Sequence, residues 1–429
     1  MPGDEREAAS TTLRGRGSRL RLRATLLMAV MGPGLITGIV NNDATGIAGY
    51  SLAGAKFGYS LFWALVVSTL ALGVVQELVA RMGAVTGKGL ADLIREQFGV
   101  RVALLAMLTL LLVNSATVVA EFAGVAAASE IFGLSRYASV PLAAALVFAL
   151  VAYGSYRKVE VALLSISLVY ITYFVTGFMA DPAWPKVARG MVPGFELDVA
   201  YLTILIALIG TTITPWEMFY NQASVVDKGL GKRELRYIAV DSYAGAASMA
   251  VIAFFIMLTT AATLWTNGRP AGNVEEVAQA LHPLAGDLAA ELFAVGLLNA
   301  ALMAMAVLPL TTAYAICEAF GWERSVNRGV REAPAFFGIF GGLLAVGALA
   351  VLIPGLPLLV LIMIPNVAGG VLLPIILVLA LKLVNDEHIM GEHANTPRQN
   401  IIGVVTTAGI VVLTAVYLMV LLLTGLGIL

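Results

Sequence analysis

Two acidic residues stand inside apolar stretches that are long enough to cross a membrane. Asp43 lies in the apolar segment 24–54, within a more polar stretch at 32–46, and Glu217 lies in the apolar segment 197–225, within a more polar stretch at 210–217. A carboxylate near the centre of a bilayer costs about 2.5–3.5 kcal/mol on insertion scales, so each acid should face a cavity or a partner. We interpret both acids as candidate ligands for a cation.

The polar groups beside these acids carry oxygen donors. They are Asn42 and Thr45 near Asp43, Thr211 and Thr214 near Glu217, and the backbone carbonyls that an interrupted helix would free. The three histidines all fall in predicted loops. Oxygen ligands suit hard cations such as Mg²⁺, Ca²⁺ and Mn²⁺, and they are poorly suited to selecting Zn²⁺, Cu⁺ or Fe²⁺. Because Mg²⁺ gives up its waters reluctantly, a site for it should be roomy.

The composition identifies the class of protein that must position these groups. The chain has 429 residues, of which 59% are hydrophobic and only 12% charged, about half the charged fraction of soluble domains. This excludes a soluble enzyme. A net charge of −1 and a single cysteine argue against a nucleic-acid binder and a disulfide scaffold. We predict a polytopic protein of the lipid bilayer that needs no cofactor and does not bind nucleic acid.

Eleven apolar segments can span the bilayer. If the N-terminus is cytosolic, every cytosolic connection carries at least two of the 26 basic residues and no external connection more than two, as the positive-inside rule requires. This eleven-span topology predicts a protein of the cell (inner) membrane with an external C-terminus. The predicted spans are 24–54, 60–84, 100–131, 138–155, 159–180, 197–225, 238–264, 285–320, 333–353, 356–382 and 400–427.

The first and sixth spans contain polar, Gly- and Pro-containing stretches that should interrupt a helix. These spans lie five apart, and an odd offset gives the second half inverted topology. Interrupted helices at matching places in inverted halves point to a transport site near the midplane. The alternative is that both stretches merely kink packed helices. The predicted parts are a basic arm (1–23), one repeat (24–180), a second repeat (195–382), a cytosolic loop (383–399) and an eleventh helix (400–429).

The two interrupted stretches resemble those of the Nramp family of divalent metal transporters. Gly32-Pro33-Gly34 with Asp43 nine positions later is similar to the family's first-helix pattern, and 210–223 resembles its sixth-helix segment. The resemblance covers nearly the whole chain. It implies an all-α polytopic membrane protein with eleven transmembrane helices, a LeuT-like 5+5 inverted repeat and interrupted helices 1 and 6.

Several positions depart from the family pattern. Gly46 stands where the family has a coordinating Asn, and Thr214 where it has a methionine. Trp216 and Asn221 replace histidines, and Thr211 falls where the family offers a backbone carbonyl. The ninth span has no internal arginine where the family has one on a proton pathway. With the resemblance included, the predicted metal-site residues are Asp43, Thr45, Gly46, Thr211, Thr214, Glu217 and Asn366.

Some of these residues also have a structural interpretation. Glu217 could cap the second half-helix, and Asn366 could make a helix–helix hydrogen bond. Glu121 and Glu130, nine residues apart on the third span, should share roughly one helix face, either pairing with polar groups or belonging to a proton path. The resemblance matches Glu130 with an acid of the family.

The altered ligands resemble those of the Nramp-related magnesium transporters. We therefore expect uptake of Mg²⁺, with Mn²⁺ tolerated, by alternating access in a monomer and without proton coupling. A doubly charged ion gains about 4.6 kcal/mol per 100 mV on entry, so no coupling ion is required. Two alternatives stay open: a proton-coupled Mn²⁺/Fe²⁺ symporter of the ordinary Nramp type, and a transporter of amino acids or other organic solutes on the same architecture.

Overall fold

The computed structural model describes residues 33–153, 167–269, 271–323 and 329–426. In these ranges the regular structure is helical, and no β-strand occurs. Short 3₁₀ and π turns join some of the helices. The helices are α1 (Pro33–Val40), α2 (Ala44–Phe57), α3 (Phe62–Thr86), α4 (Leu90–Ile131), α5 (Arg136–Tyr153), α6 (Ile171–Met179), α7 (Trp184–Gly190), α8 (Val199–Thr212), α9 (Pro215–Asp227), α10 (Leu235–Thr260), α11 (Val274–Ala278), α12 (His282–Ala285), α13 (Ala289–Phe320), α14 (Pro334–Val351), α15 (Leu358–Val384), α16 (Glu387–Met390) and α17 (Pro397–Gly425).

Nine helical segments of the described ranges are long and apolar enough to cross a membrane. The first predicted span is divided between α1 and α2, and the fifth is described only from residue 167, so the segments agree with eleven spans. The basic arm 1–23 and the start of the first span at 24–32 lie outside the described residues. The predicted division into two repeats, a loop and a final helix stays a prediction.

The third span begins where the sequence predicted, because a glycine ends the helical segment before it. Gly99 has φ 80° and ψ 173°, a conformation that residues with a side chain rarely adopt. The helix at 90–98 therefore turns at Gly99 into the membrane-length segment 100–131.

The two interrupted helices lie at the centre of the bundle. Helices α1 and α2 pack against α10, while α8 packs against α15 and α9 against α3. Helices that correspond in the two predicted halves also pack on each other, α3 against α10 and α4 against α13. The two interrupted spans, α1 with α2 and α8 with α9, are thus packed against continuous helices.

Glycines allow α1 and α8, the first half-helices of the two interrupted spans, to approach their neighbours at backbone distance. A Cβ on Gly38 of α1 would clash with the carbonyl of Gly245 on α10, and one on Gly210 of α8 would clash with the backbone of α15. Small residues at helix contacts are typical of membrane bundles, where close packing replaces the hydrophobic effect as the driving force.

We expect Gly38→Ala to lower the unfolding temperature of the purified protein in detergent. The added methyl group meets backbone that cannot rotate away, and overpacking of this kind costs about 1–3 kcal/mol. Gly409→Ala in α17 is the matched control, since a Cβ there meets nothing within 4 Å. The control should be neutral or slightly stabilising, because alanine favours helix over glycine. Equal unfolding temperatures for both variants would contradict the close contact.

Candidate functional site

The first interruption separates α1 from α2 and places Asp43 at the N-cap of α2. Its Oδ1 accepts hydrogen bonds from the Thr45 hydroxyl (2.6 Å) and from the Gly46 N–H (2.7 Å). Asp is a favoured N-cap residue because its carboxylate satisfies N–H groups that the first turn leaves free. The side chain is 2% exposed. A carboxylate has about four acceptor positions, so two donors leave capacity for a cation.

A second carboxylate reaches the same helix N-terminus from α4. Glu121 Oε2 accepts the N–H of Ala44 (3.1 Å), while Oε1 is buried without a hydrogen-bond partner among the described residues. Glu130 instead pairs with Arg136 at the end of α4, where both side chains are partly exposed. At a rise of 1.5 Å per residue the two acids are separated by about 13.5 Å along the helix. Thus Glu121, and not Glu130, contacts the interruption.

The second interruption separates α8 from α9. Ile213 and Thr214 have extended backbone conformations, and Pro215 begins α9 at a position where its missing N–H costs nothing. Glu217 lies in the first turn of α9 and is fully buried. Its Oε2 accepts a hydrogen bond from Gln76 Nε2 of α3 (3.2 Å). Glu217 also interacts with the backbone N–H and the hydroxyl of Thr214, the N-cap residue of α9, which is the contact that a capping role would make. By hydrogen-bond geometry, however, the Thr214 hydroxyl and Glu217 Oε1 have no partner in the described part of the chain.

Polar side chains link the two interruptions and occupy part of their freed backbone. Asn41 Nδ2 donates to the carbonyl of Thr212 (3.1 Å), and the Tyr170 hydroxyl donates to the carbonyl of Asn42 (2.7 Å). The Tyr50 hydroxyl lies 3.1 Å from the Thr212 hydroxyl. The carbonyls of Asn42 and Thr212 are therefore hydrogen-bonded, whereas the sequence led us to expect free carbonyls as metal ligands.

Five of the seven predicted site residues form one group. Besides the contacts of Asp43 with Thr45 and Gly46, a Cβ built on Gly46 would lie 3.6 Å from Thr211 Oγ1 and 3.4 Å from Asp43 Oδ1. Asn366 Nδ2 of α15 donates to the carbonyl of Thr45 (2.8 Å). The helix–helix hydrogen bond expected as one interpretation of Asn366 is thus present, and it uses the amide donor.

The other two predicted residues, Thr214 and Glu217, form a second group at the start of α9. Glu217 and Glu121 both interact electrostatically with Asp43. No ion pair of the described residues involves any of these three carboxylates. Nor do three His, Cys, Asp or Glu side chains in the described ranges come close enough to hold a metal by themselves. An ion here would also need hydroxyl, carbonyl or water ligands.

Sequence reasoning missed two contacts of the site. Tyr170 and Gln76 are polar residues within apolar spans, and that position is the signal that could have identified them. It does not reveal their partners, because Asn42 is 128 residues from Tyr170 and Glu217 is 141 residues from Gln76.

Comparisons with known proteins agree with this architecture. A family model described as Nramp, natural resistance-associated macrophage protein-like, matches residues 34–420. The chain is 30% identical over 311 residues, 70% of each chain, to "Divalent metal cation transporter MntH" of Deinococcus radiodurans. It is 29% identical over 397 residues, 86% of each chain, to "Divalent metal cation transporter MntH 1" of Pseudomonas aeruginosa.

A solved structure supports the same fold. The crystal structure of the Eremococcus coleocola manganese transporter superimposes with a TM-score of 0.73 at 21% identity, over 93% of this chain and 87% of that one. The predicted fold class, an all-α polytopic membrane protein with eleven helices in a LeuT-like 5+5 inverted repeat, is confirmed.

We expect Glu121→Ala to lower the unfolding temperature more than Glu130→Ala does. Loss of the Glu121 carboxylate leaves the buried N–H of Ala44 without its acceptor, which costs about 1–3 kcal/mol. The pair of Glu130 with Arg136 is partly exposed, and such pairs contribute about 0–1 kcal/mol. Thermal unfolding in detergent measures both variants. A larger effect at Glu130 would show that the contact with α2 contributes little.

Proposed function

The chain belongs to the Nramp family, and from this premise we propose that it transports divalent metal cations across a membrane, with Mg²⁺ as the main substrate and Mn²⁺ also accepted. The observation that carries the proposal is that three buried carboxylates, Asp43, Glu121 and Glu217, lie at the two interruptions and form no ion pair among the described residues. They lie at the N-termini of α2 and α9, the second half-helices of the two interrupted spans.

The charge of this group favours an ion with two positive charges. A helix N-terminus is equivalent to about half a positive charge, so α2 and α9 together offer about one. If all three acids are ionised when the ion is bound, they carry three negative charges. A divalent cation brings the local sum close to zero, whereas a monovalent one leaves a negative excess in a medium of low dielectric constant.

The chemistry of the donors supports Mg²⁺ rather than a transition metal. The predicted ligands are Asp43, Thr45, Gly46, Thr211, Thr214, Glu217 and Asn366, and they offer oxygen and no sulfur or imidazole. Thr214 stands where the resembling family has methionine, a soft ligand, and oxygen ligands suit hard cations. Part of the coordination shell would be water, since Mg²⁺ usually keeps several waters when bound to protein.

The membrane potential is a sufficient driving force. Inward movement of a doubly charged ion gains about 4.6 kcal/mol per 100 mV, so transport without proton coupling is feasible. We place the N-terminus in the cytosol of a monomeric protein of the cell (inner) membrane, with the C-terminus outside, because this orientation satisfies the positive-inside rule. The two halves, 24–180 and 195–382, would form the inverted repeats.

A second candidate is a proton-coupled Mn²⁺/Fe²⁺ symporter. It is favoured by the similarity to proteins named divalent metal cation transporters and to a manganese transporter, and by Glu121, a buried acid that could carry a proton. An organic-solute transporter is disfavoured. The half-helix N-termini that would hold a substrate carboxylate are occupied by the protein's own carboxylates.

We expect Asp43→Ala to abolish metal uptake into proteoliposomes, because the variant loses the carboxylate at the centre of the site. A Mg²⁺-sensitive dye and a pH dye inside the vesicles measure metal and proton entry together. Asp198→Ala is the matched control: Asp198 is likewise an N-cap aspartate, accepting the N–H of Tyr201 at the other end of α8, and it is exposed.

Wild-type vesicles should admit Mg²⁺ without acidification. Proton entry that tracks Mn²⁺, with no flux of Mg²⁺, would instead establish the proton-coupled alternative. Undiminished Mg²⁺ uptake by Asp43→Ala would refute the assignment of the site.

We expect Thr214→Met to lower the rate of Mg²⁺ uptake severalfold relative to that of Mn²⁺, because a thioether replaces a hard oxygen donor. Competition between the two ions in the same vesicles measures the ratio. Thr203→Met on α8 is the control, since the Thr203 hydroxyl bonds to the carbonyl of Val199 in its own helix. An unchanged ratio in Thr214→Met would remove Thr214 from the site.

A further inference from the structure

Gln76 is a buried side chain of α3 that connects two polar residues of α9. Its amide N–H donates to Glu217 Oε2 (3.2 Å), and its amide oxygen accepts a hydrogen bond from Asn221 Nδ2. Asn221 Nδ2 also donates to the backbone carbonyl of Gln76 (3.2 Å). All three side chains are nearly or fully buried. These contacts form a series of hydrogen bonds from Asn221 through Gln76 to Glu217.

The contacts with Asn221 and with Glu217 determine how the amide group of Gln76 is oriented. Asn221 presents an N–H₂ group to two oxygen atoms of Gln76, so the oxygen of the Gln76 amide must face Asn221. The nitrogen of the same amide then faces Glu217 and supplies a donor to Oε2. A reversed amide would place oxygen against a carboxylate oxygen and nitrogen against an N–H₂ group.

The hydrogen bond from Gln76 engages Oε2 of Glu217 and does not involve the other carboxylate oxygen, Oε1. Glu217 Oε1 is buried and has no hydrogen-bond partner among the described residues. A buried acceptor without a partner is unfavourable, so the protein stabilises a ligand that pairs with it. Glu217 also interacts electrostatically with Asp43, so a cation between the two interruptions would be attracted to both acids.

We propose that Gln76 is a positioning residue for the transported divalent cation. It holds Glu217 through Oε2 so that Oε1 contacts the cation or a water in its coordination shell, and it thereby sets the affinity for the ion. Asn221 acts one step further away, because it orients the amide of Gln76. This inference rests on the proposed function and adds two residues outside the predicted ligand set.

Gln222, the neighbour of Asn221, provides a matched control. It is also a fully buried glutamine at the contact of α9 with the end of α3, and its Nε2 donates to the backbone carbonyl of Lys88 (2.9 Å). Its side chain joins α9 to the connection that follows α3, and no hydrogen bond of the described residues joins it to Glu217. A role in packing alone would be common to both glutamines, whereas a role in positioning the acid belongs to Gln76.

The test is a double-mutant cycle on purified protein in detergent, with Mg²⁺ binding measured by isothermal titration calorimetry. The variants are Gln76→Leu, Glu217→Gln, the double variant, Gln222→Leu and Asp43→Ala. We expect Gln76→Leu to weaken Mg²⁺ binding about tenfold, since hydrogen bonds to charged groups are stronger than neutral ones. Added to Glu217→Gln it should weaken binding little further, because the acid through which it acts is already lost.

Transport kinetics give an independent readout. Gln76→Leu should raise the KM for Mg²⁺ in proteoliposomes while the maximal rate changes little, and Gln222→Leu should leave the KM unchanged. Equal effects of the two glutamine variants would reduce Gln76 to a packing residue. Multiplicative losses in the double variant would show that Gln76 acts independently of Glu217. Either result overturns the inference.

The outcome for Asp43→Ala separates this inference from the proposed function. If Asp43→Ala loses Mg²⁺ binding and Gln76→Leu does not, the proposed site stands and the role of Gln76 fails. If Asp43→Ala binds Mg²⁺ as tightly as the wild type, the proposed site itself fails, whatever the effect at Gln76.

Discussion

The structure depends on negative charge held at the N-termini of two half-helices inside an apolar bundle. Asp43 and Glu121 accept N–H groups of the first turn of α2, and Glu217 lies in the first turn of α9. The helix ends stabilise these carboxylates and explain how they are tolerated away from water. Two helix ends supply about one positive charge between them, so a bound divalent cation would let all three acids ionise with little net charge left in the bundle.

The remaining architecture keeps these helix ends in place. Glycines at the contacts of α1 with α10 and of α8 with α15 bring these half-helices to backbone distance of their neighbours. Asn41 bridges to the end of α8, and Asn366 bridges from α15 to α2. Unwound backbone at membrane depth is stable only when its polar groups find partners in the protein, and these side chains supply them.

The surroundings of Asp43 differ from those of Glu217. Around Asp43 the groups are small and tightly packed, and a Cβ on Gly46 would lie 2.7 Å from the carbonyl of Asn41. Around Glu217 the contacts are polar side chains, with Gln76 bound to the acid and Asn221 bound to Gln76. The first group brings backbone and hydroxyl oxygens close to the Asp43 carboxylate, and the second gives Glu217 a hydrogen-bonded side-chain partner.

The class of protein, the membrane-length segments of the described ranges and both interruptions could be predicted from the residues alone, because these features follow from local composition: apolar length, glycine, proline and charge. Asp43 and Glu217 were candidates for the same reason, since an acid in an apolar segment is conspicuous. Helix packing was needed to show that Glu121 rather than Glu130 reaches α2, that the Tyr170 hydroxyl donates to the carbonyl of Asn42, and that Gln76 donates to Glu217. These contacts join residues of different helices far apart in the chain, and their geometry depends on how the helices pack rather than on any local pattern.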